Sequence, residues 1–233
     1  MLKLKSKKEI RKRKNNGWYL LAIVDFIPVG LFLAASIILQ RDLYNKMSKG
    51  AFALFASGTI LVFCVGALKA THKLFYYAFN LNFYSLAALF FPMQTLGFVL
   101  AGAGLIAMIS HKQGNTAMCV VPLLPLLISF KELPDDSGKL TMVFVVLMCL
   151  GVLIMYSILS YFAFKRKNYI PFVLLIVAFI CTLGMGYLST KEELSDWYKE
   201  IINSAGQCCF LISTIMLHKK GLGEIDSLKP MNK

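Results

Sequence analysis

The sequence has no stretch that would make a soluble domain. Outside its apolar runs the longest segment is residues 1–16, well short of the roughly 40 residues below which an unaided core is rare. Charge is scarce as well: 16% of the 233 residues are charged, against about 25% in soluble domains. Recognisable catalytic signatures are absent. There is no P-loop or other glycine-rich phosphate cradle, no G-x-S-x-G, no H-E-x-x-H and no C-x-x-C. These absences exclude an ATP-driven pump within this chain and argue against an enzyme. They call for no cofactor and no metal.

What is present is apolar and segmented. Apolar residues make up 58% of the chain, and the mean hydropathy is +0.65. Charges cluster between long uncharged runs, which is the pattern of membrane spans. The fold class expected is all-α: a polytopic transmembrane helix bundle over 17–218, with a basic segment 1–16 before it and a tail 219–233 after it. Eight apolar segments are read: 17–40, 51–70, 74–91, 93–110, 115–130, 140–164, 169–190 and 197–218. The run 74–110 has no charge and as one helix would be about 55 Å long. Pro92 at its middle therefore suggests a hairpin of two short spans. Residues 115–130 carry Pro122 and Pro125 and are short enough to be re-entrant. With 84–110 as the only middle span, the alternative count is six.

Eight basic residues fall in the first 14 positions, opposed only by Glu9. No aromatics are interleaved among them, so nucleic acid is not the expected partner. Contact with anionic lipid, or with a protein partner at the basic N-terminus, fits better. The apolar run after it is longer than a signal-peptide core and reads as a retained first span. With both termini cytoplasmic, 18 of the 25 Lys and Arg fall inside, as the positive-inside rule asks. The lipid bilayer is thus the environment, and the cytoplasmic (plasma) membrane the expected location. Trp18–Tyr19 and Trp197–Tyr198 open the first and last spans, where interfacial aromatics belong.

Ionisable and amide groups inside spans are the functional candidates. Asp25 lies in the first span, three residues before Pro28. It reads either as a proton- or cation-binding carboxylate or as half of a structural pair with Lys69. In the last span Asp196, Glu200, Asn203, Gln207, Thr214 and His218 fall on one helical face. In lipid that face must turn inward. Tyr76, Tyr77, Asn80 and Tyr84 form a further stripe, read as packing before binding. The candidate cavity residues are thus Asp25, Asn80, Glu200, Asn203 and Gln207. Gly97, Ala101 and Gly104, with Gly184 and Gly186, read as close helix contacts. His72, His111 and His218 read as helix-end cations rather than metal ligands, and the six cysteines as buried apolar thiols.

Three functions fit these features. The first is a transporter or channel component that passes a small polar solute or cation through a polar intramembrane cavity. The second is a non-transporting receptor, immunity or accessory subunit. The third, a lipid-active intramembrane enzyme using Asp25 or Glu200, lacks a nucleophile or metal to accompany the carboxylates. The first predicts that Asp25, Asn203 and Gln207 border one cavity; the second predicts a dry bundle with these groups paired.

Overall fold

The computed structural model describes residues 16–79, 81, 84–110, 138–189 and 196–222. All regular structure among them is helical: α1 (Asn16–Val24), α2 (Phe26–Leu43), α3 (Lys49–Phe79), α4 (Tyr84–Ile109), α5 (Gly138–Lys165), α6 (Tyr169–Ser189) and α7 (Asp196–Lys219). Among the described residues, five spans are long and apolar enough to cross a membrane: Leu20–Leu43, Lys49–Phe79, Leu89–Ile109, Val143–Lys165 and Asp196–Lys219. Tyr169–Met185 is a shorter apolar helix. Only 28–44% of each long span is buried inside the protein. The outward positions are large and apolar, among them Ile23, Ile37, Ile60, Val146, Ile180 and Ile201. Such a surface is costly in water and natural against acyl chains, as expected of a multi-pass membrane protein.

The break between α1 and α2 falls at Asp25. Pro28 supplies no N–H to the carbonyl one turn earlier, which is Val24, so the helix yields there. A second proline behaves differently. Pro92 lies inside α4, which continues through it, and α3 runs on to Phe79. The hairpin expected at Pro92 does not form, and 74–91 and 93–110 are not separate spans. Helices in membranes tolerate proline where neighbouring helices support them. α4 is held on its α5 side, where the Thr95 hydroxyl lies 2.8 Å from the Phe91 carbonyl and 2.9 Å from that of Phe144. The segment 115–130 lies outside the described residues.

Small residues let the backbones touch. A methyl group added at Gly58 would stand 2.5 Å from the Ala101 nitrogen and the Gly97 oxygen, and one at Gly104 would stand 2.7 Å from the Ala51 oxygen. The expected Gly97–Ala101–Gly104 seam is therefore the α3–α4 contact. Gly184 is not part of such a seam: its nearest neighbour is an Ile202 methyl at 4.0 Å. The core centres on Phe32, Phe55, Phe98, Phe162 and Phe210.

Helix directions follow from the contacts. Gln40 bonds Thr59, and Asp25 meets Lys73, so α3 runs antiparallel to α2. Thr95 meets Phe144 and Gly102 meets Ile154, so α4 and α5 run parallel. Ser213 bonds Pro171, so α6 and α7 are antiparallel. Phe32 stacks on Phe210 at 6.0 Å and Asp42 meets His218 at 2.9 Å, so the first and last spans run parallel. With α1 and α2 forming one broken span, the described residues hold six helices, so the eight expected spans are not found among them. The start of the first span and the end of the last lie at opposite ends of the bundle, which does not fit two termini on one side.

Candidate functional site

The polar residues gather at one end of the bundle. Asp25, at the α1–α2 break, points its carboxylate at Lys73 near the end of α3, with Oδ2 2.7 Å from Nζ. Glu200, one turn into α7, lies 3.8 Å from the same ammonium. Both carboxyl groups are buried, at 5% and 4% exposure, where an unpaired charge would be very costly. Asn203 Nδ2 reaches Glu200 Oε1 at 3.5 Å, at the long limit of a hydrogen bond. The Asp25–Lys73 contact is an ion pair without hydrogen-bond alignment, since Asp25 Oδ2 has no aligned donor. One of the two readings of Asp25 pairs it with Lys69; its partner is Lys73 instead, one turn further along the same face of α3.

Lys69 is left for another role. Its ammonium sits 4.0 Å from the centroid of the Phe90 ring, a cation–π arrangement. Among the described residues it makes no ion pair. It lines a cavity with two adjoining lobes, of about 70 and about 110 Å³. Lys69, Phe90, Gln94, Phe98, Asn203 and Gln207 border both. Asp25 closes the smaller lobe, and Tyr156 and Thr182 the larger. Each lobe exceeds the roughly 30 Å³ share of one water molecule. Gln94 Oε1 and Gln207 Oε1 are buried with no hydrogen-bond partner among the described residues. Two orphaned amide oxygens in one cavity call for donors from water or from a bound molecule.

The last helix presents its polar face inward, as its periodicity required. Glu200, Ser213 and Thr214 are buried, and Asn203 and Gln207 are half-buried. Asp196 is the exception: its side chain is 44% exposed and pairs with Lys199 at 3.3 Å. At the far end His218 bridges Asp42 and Arg41, with Nδ1 2.9 Å from Asp42 Oδ1 and Nε2 2.9 Å from Arg41 Nη2. Arg41 can only donate, so Nε2 accepts and Nδ1–H donates to Asp42. Seventeen residues of helix separate Asp25 from Asp42, about 25 Å. Between the two polar clusters Phe32, Phe98, Phe210 and Tyr156 pack in ring contact.

Four of the candidate residues thus come together: Asp25, Glu200, Asn203 and Gln207. Asn80 lies outside the described residues, as do His111 and Cys119. His72 and His218 fall at opposite ends of the bundle, and no metal-binding group occurs among the described residues. The five described cysteines are free. Gln94 and Phe90 were not foreseen. Gln94 did carry a signal, as an amide within an uncharged run of 37 residues. Comparison with family models, curated proteins and solved structures finds no match to this chain.

Proposed function

We propose that this chain is a membrane transporter or channel component that passes a small polar solute through the cavity beside Asp25, Lys69, Gln94, Asn203 and Gln207. One observation carries the reading: Asp25, Asn203 and Gln207, distant in sequence, border a single cavity with unsatisfied amide oxygens in it. A dry, self-paired bundle would not leave those oxygens bare. Polar clusters at both ends of the first and last spans add support. They lie on either side of an aromatic layer, which suits a site closed at one face while it opens at the other. The cytoplasmic membrane, with the basic N-terminus on the cytoplasmic side, suits the charge of the first 14 residues.

A second reading is a non-transporting receptor or accessory subunit. It draws on the same contacts, the Asp25–Lys73 ion pair and the Asp42–His218 hydrogen bond, which would hold a static bundle together equally well.

Reconstitution tests the choice. Liposomes carrying the protein should equilibrate small polar solutes faster than empty ones, followed by light scattering after an osmotic step. Asn203→Ala with Gln207→Ala should return that rate to the empty-liposome value while the protein remains folded. Unchanged flux in the double variant would remove the cavity from any transport role.

A further inference from the structure

The cavity's lining is dipolar, and that constrains what it takes. Its neighbourhood holds groups of both signs, Asp25 and Glu200 beside Lys73 and Lys69, so a ligand that itself carries both signs fits best in a poorly screened setting. The charges are not evenly engaged, however. Both carboxylates are committed to Lys73 and, through Glu200, to Asn203. Among the described residues Lys69 makes no ion pair, and its ammonium lies against the face of Phe90. It is therefore placed to meet an anionic group. Opposite in character, Gln94 Oε1 and Gln207 Oε1 are buried acceptors that no described residue supplies with a donor, and both border the two lobes that Lys69 borders. An ammonium, with three donors and no acceptor, satisfies such oxygens.

Resting on the transport reading above, we infer that the cavity binds a small zwitterion of amino-acid type, its carboxylate at Lys69 and its ammonium at the Gln94 and Gln207 oxygens. Size agrees. Lobes of about 70 and 110 Å³ hold roughly two and four water-sized groups at about 30 Å³ each. Glycine has five heavy atoms and alanine six. A lone anion would leave the glutamine oxygens bare, and a lone cation would leave Lys69 unmatched.

The test is thermal unfolding of the full chain in detergent, with glycine or alanine titrated at constant ionic strength. A ligand that binds only the folded state raises the melting temperature saturably. Glycine and alanine should do so by a few degrees. Sodium acetate and methylammonium chloride at the same concentrations should not. Lys69→Gln should abolish the shift, and Lys69→Arg should retain part of it. Gln94→Leu provides an independent variant should Lys69→Gln fail to fold, and should also abolish the shift.

A shift with acetate equal to that with glycine would replace the zwitterion by an anion, and an equal shift with methylammonium would replace it by a cation. An undiminished shift in both Lys69→Gln and Gln94→Leu would place binding elsewhere. Each of these overturns the inference and leaves the transport reading standing. If none of the solutes shifts the wild-type melting temperature, the inference fails. The reading beneath it fails as well only if the Asn203→Ala/Gln207→Ala variant also keeps its flux.

Discussion

Replacing Lys73 by methionine isolates the electrostatics of the site, because one cation serves two buried carboxylates. Asp25 lies 2.7 Å and Glu200 3.8 Å from its ammonium. Methionine keeps most of the apolar stem and removes the charge. Breaking a buried pair by deleting one partner costs about 3–5 kcal/mol, because the remaining charge is left uncompensated. The Lys73 side chain is 28% exposed, so the lower end, about 3 kcal/mol, is the expected loss. At about 2–4 °C per kcal/mol for a chain of this size, the melting temperature should fall by roughly 6–12 °C. The triple variant Asp25→Asn/Lys73→Met/Glu200→Gln keeps the shape without buried charge and should recover most of that loss. Asp25→Asn alone should cost less than Lys73→Met, since Lys73 still faces Glu200. Fluorescence-detected gel filtration after a heat step reads all four proteins. A Lys73→Met protein as stable as wild type would refute the pairing, and a triple variant no better than Lys73→Met would refute its electrostatic cause.

Two further outcomes follow from packing and direction. Gly58→Ala places a methyl group 2.5 Å from backbone atoms of α4 and should cost about 1–3 kcal/mol by overpacking. Gly30→Ala, which meets nothing within 4 Å, should be neutral or slightly stabilising through helix propensity; equal melting temperatures for the two would discount the close α3–α4 contact. In a background without the native cysteines, Asp42→Cys with His218→Cys should cross-link through a short thiol reagent. Asp42→Cys with Lys199→Cys should not, and the reverse pattern would mean that the first and last spans run antiparallel.

The inward polar face of α7 was legible in the sequence because helical period and the cost of polar groups in lipid fix it together. The Gly97–Ala101–Gly104 seam was legible for a similar reason, as only small residues on one face allow such an approach. Other features were not. Lys69 and Lys73 stand one turn apart on one face, so the sequence alone could not decide which meets Asp25. Pro92 looked like a break because its cost in an isolated helix is real; tight packing of α4 against α3 and α5 accommodates it instead. The apparent hairpin there added one crossing to the count. The course of the last helix was lost with it, because each wrongly placed crossing reverses every helix after it. The charge bias did not expose the error. The basic residues near Arg41, Arg166 and Lys219 lie at one end of the bundle, and those of 1–14 precede the other.

Reactivity of single cysteines along α7 with a hydrophilic thiol reagent tests the polar cavity most directly. Only a thiol that meets water ionises and reacts readily. In a cysteine-free background, Asn203→Cys and Gln207→Cys should label, whereas Ile201→Cys, at a position 59% exposed on the apolar surface, should stay unmodified in the bilayer. Silence at 203 and 207, or labelling at 201 as fast as at either, would contradict a water-filled site in this bundle.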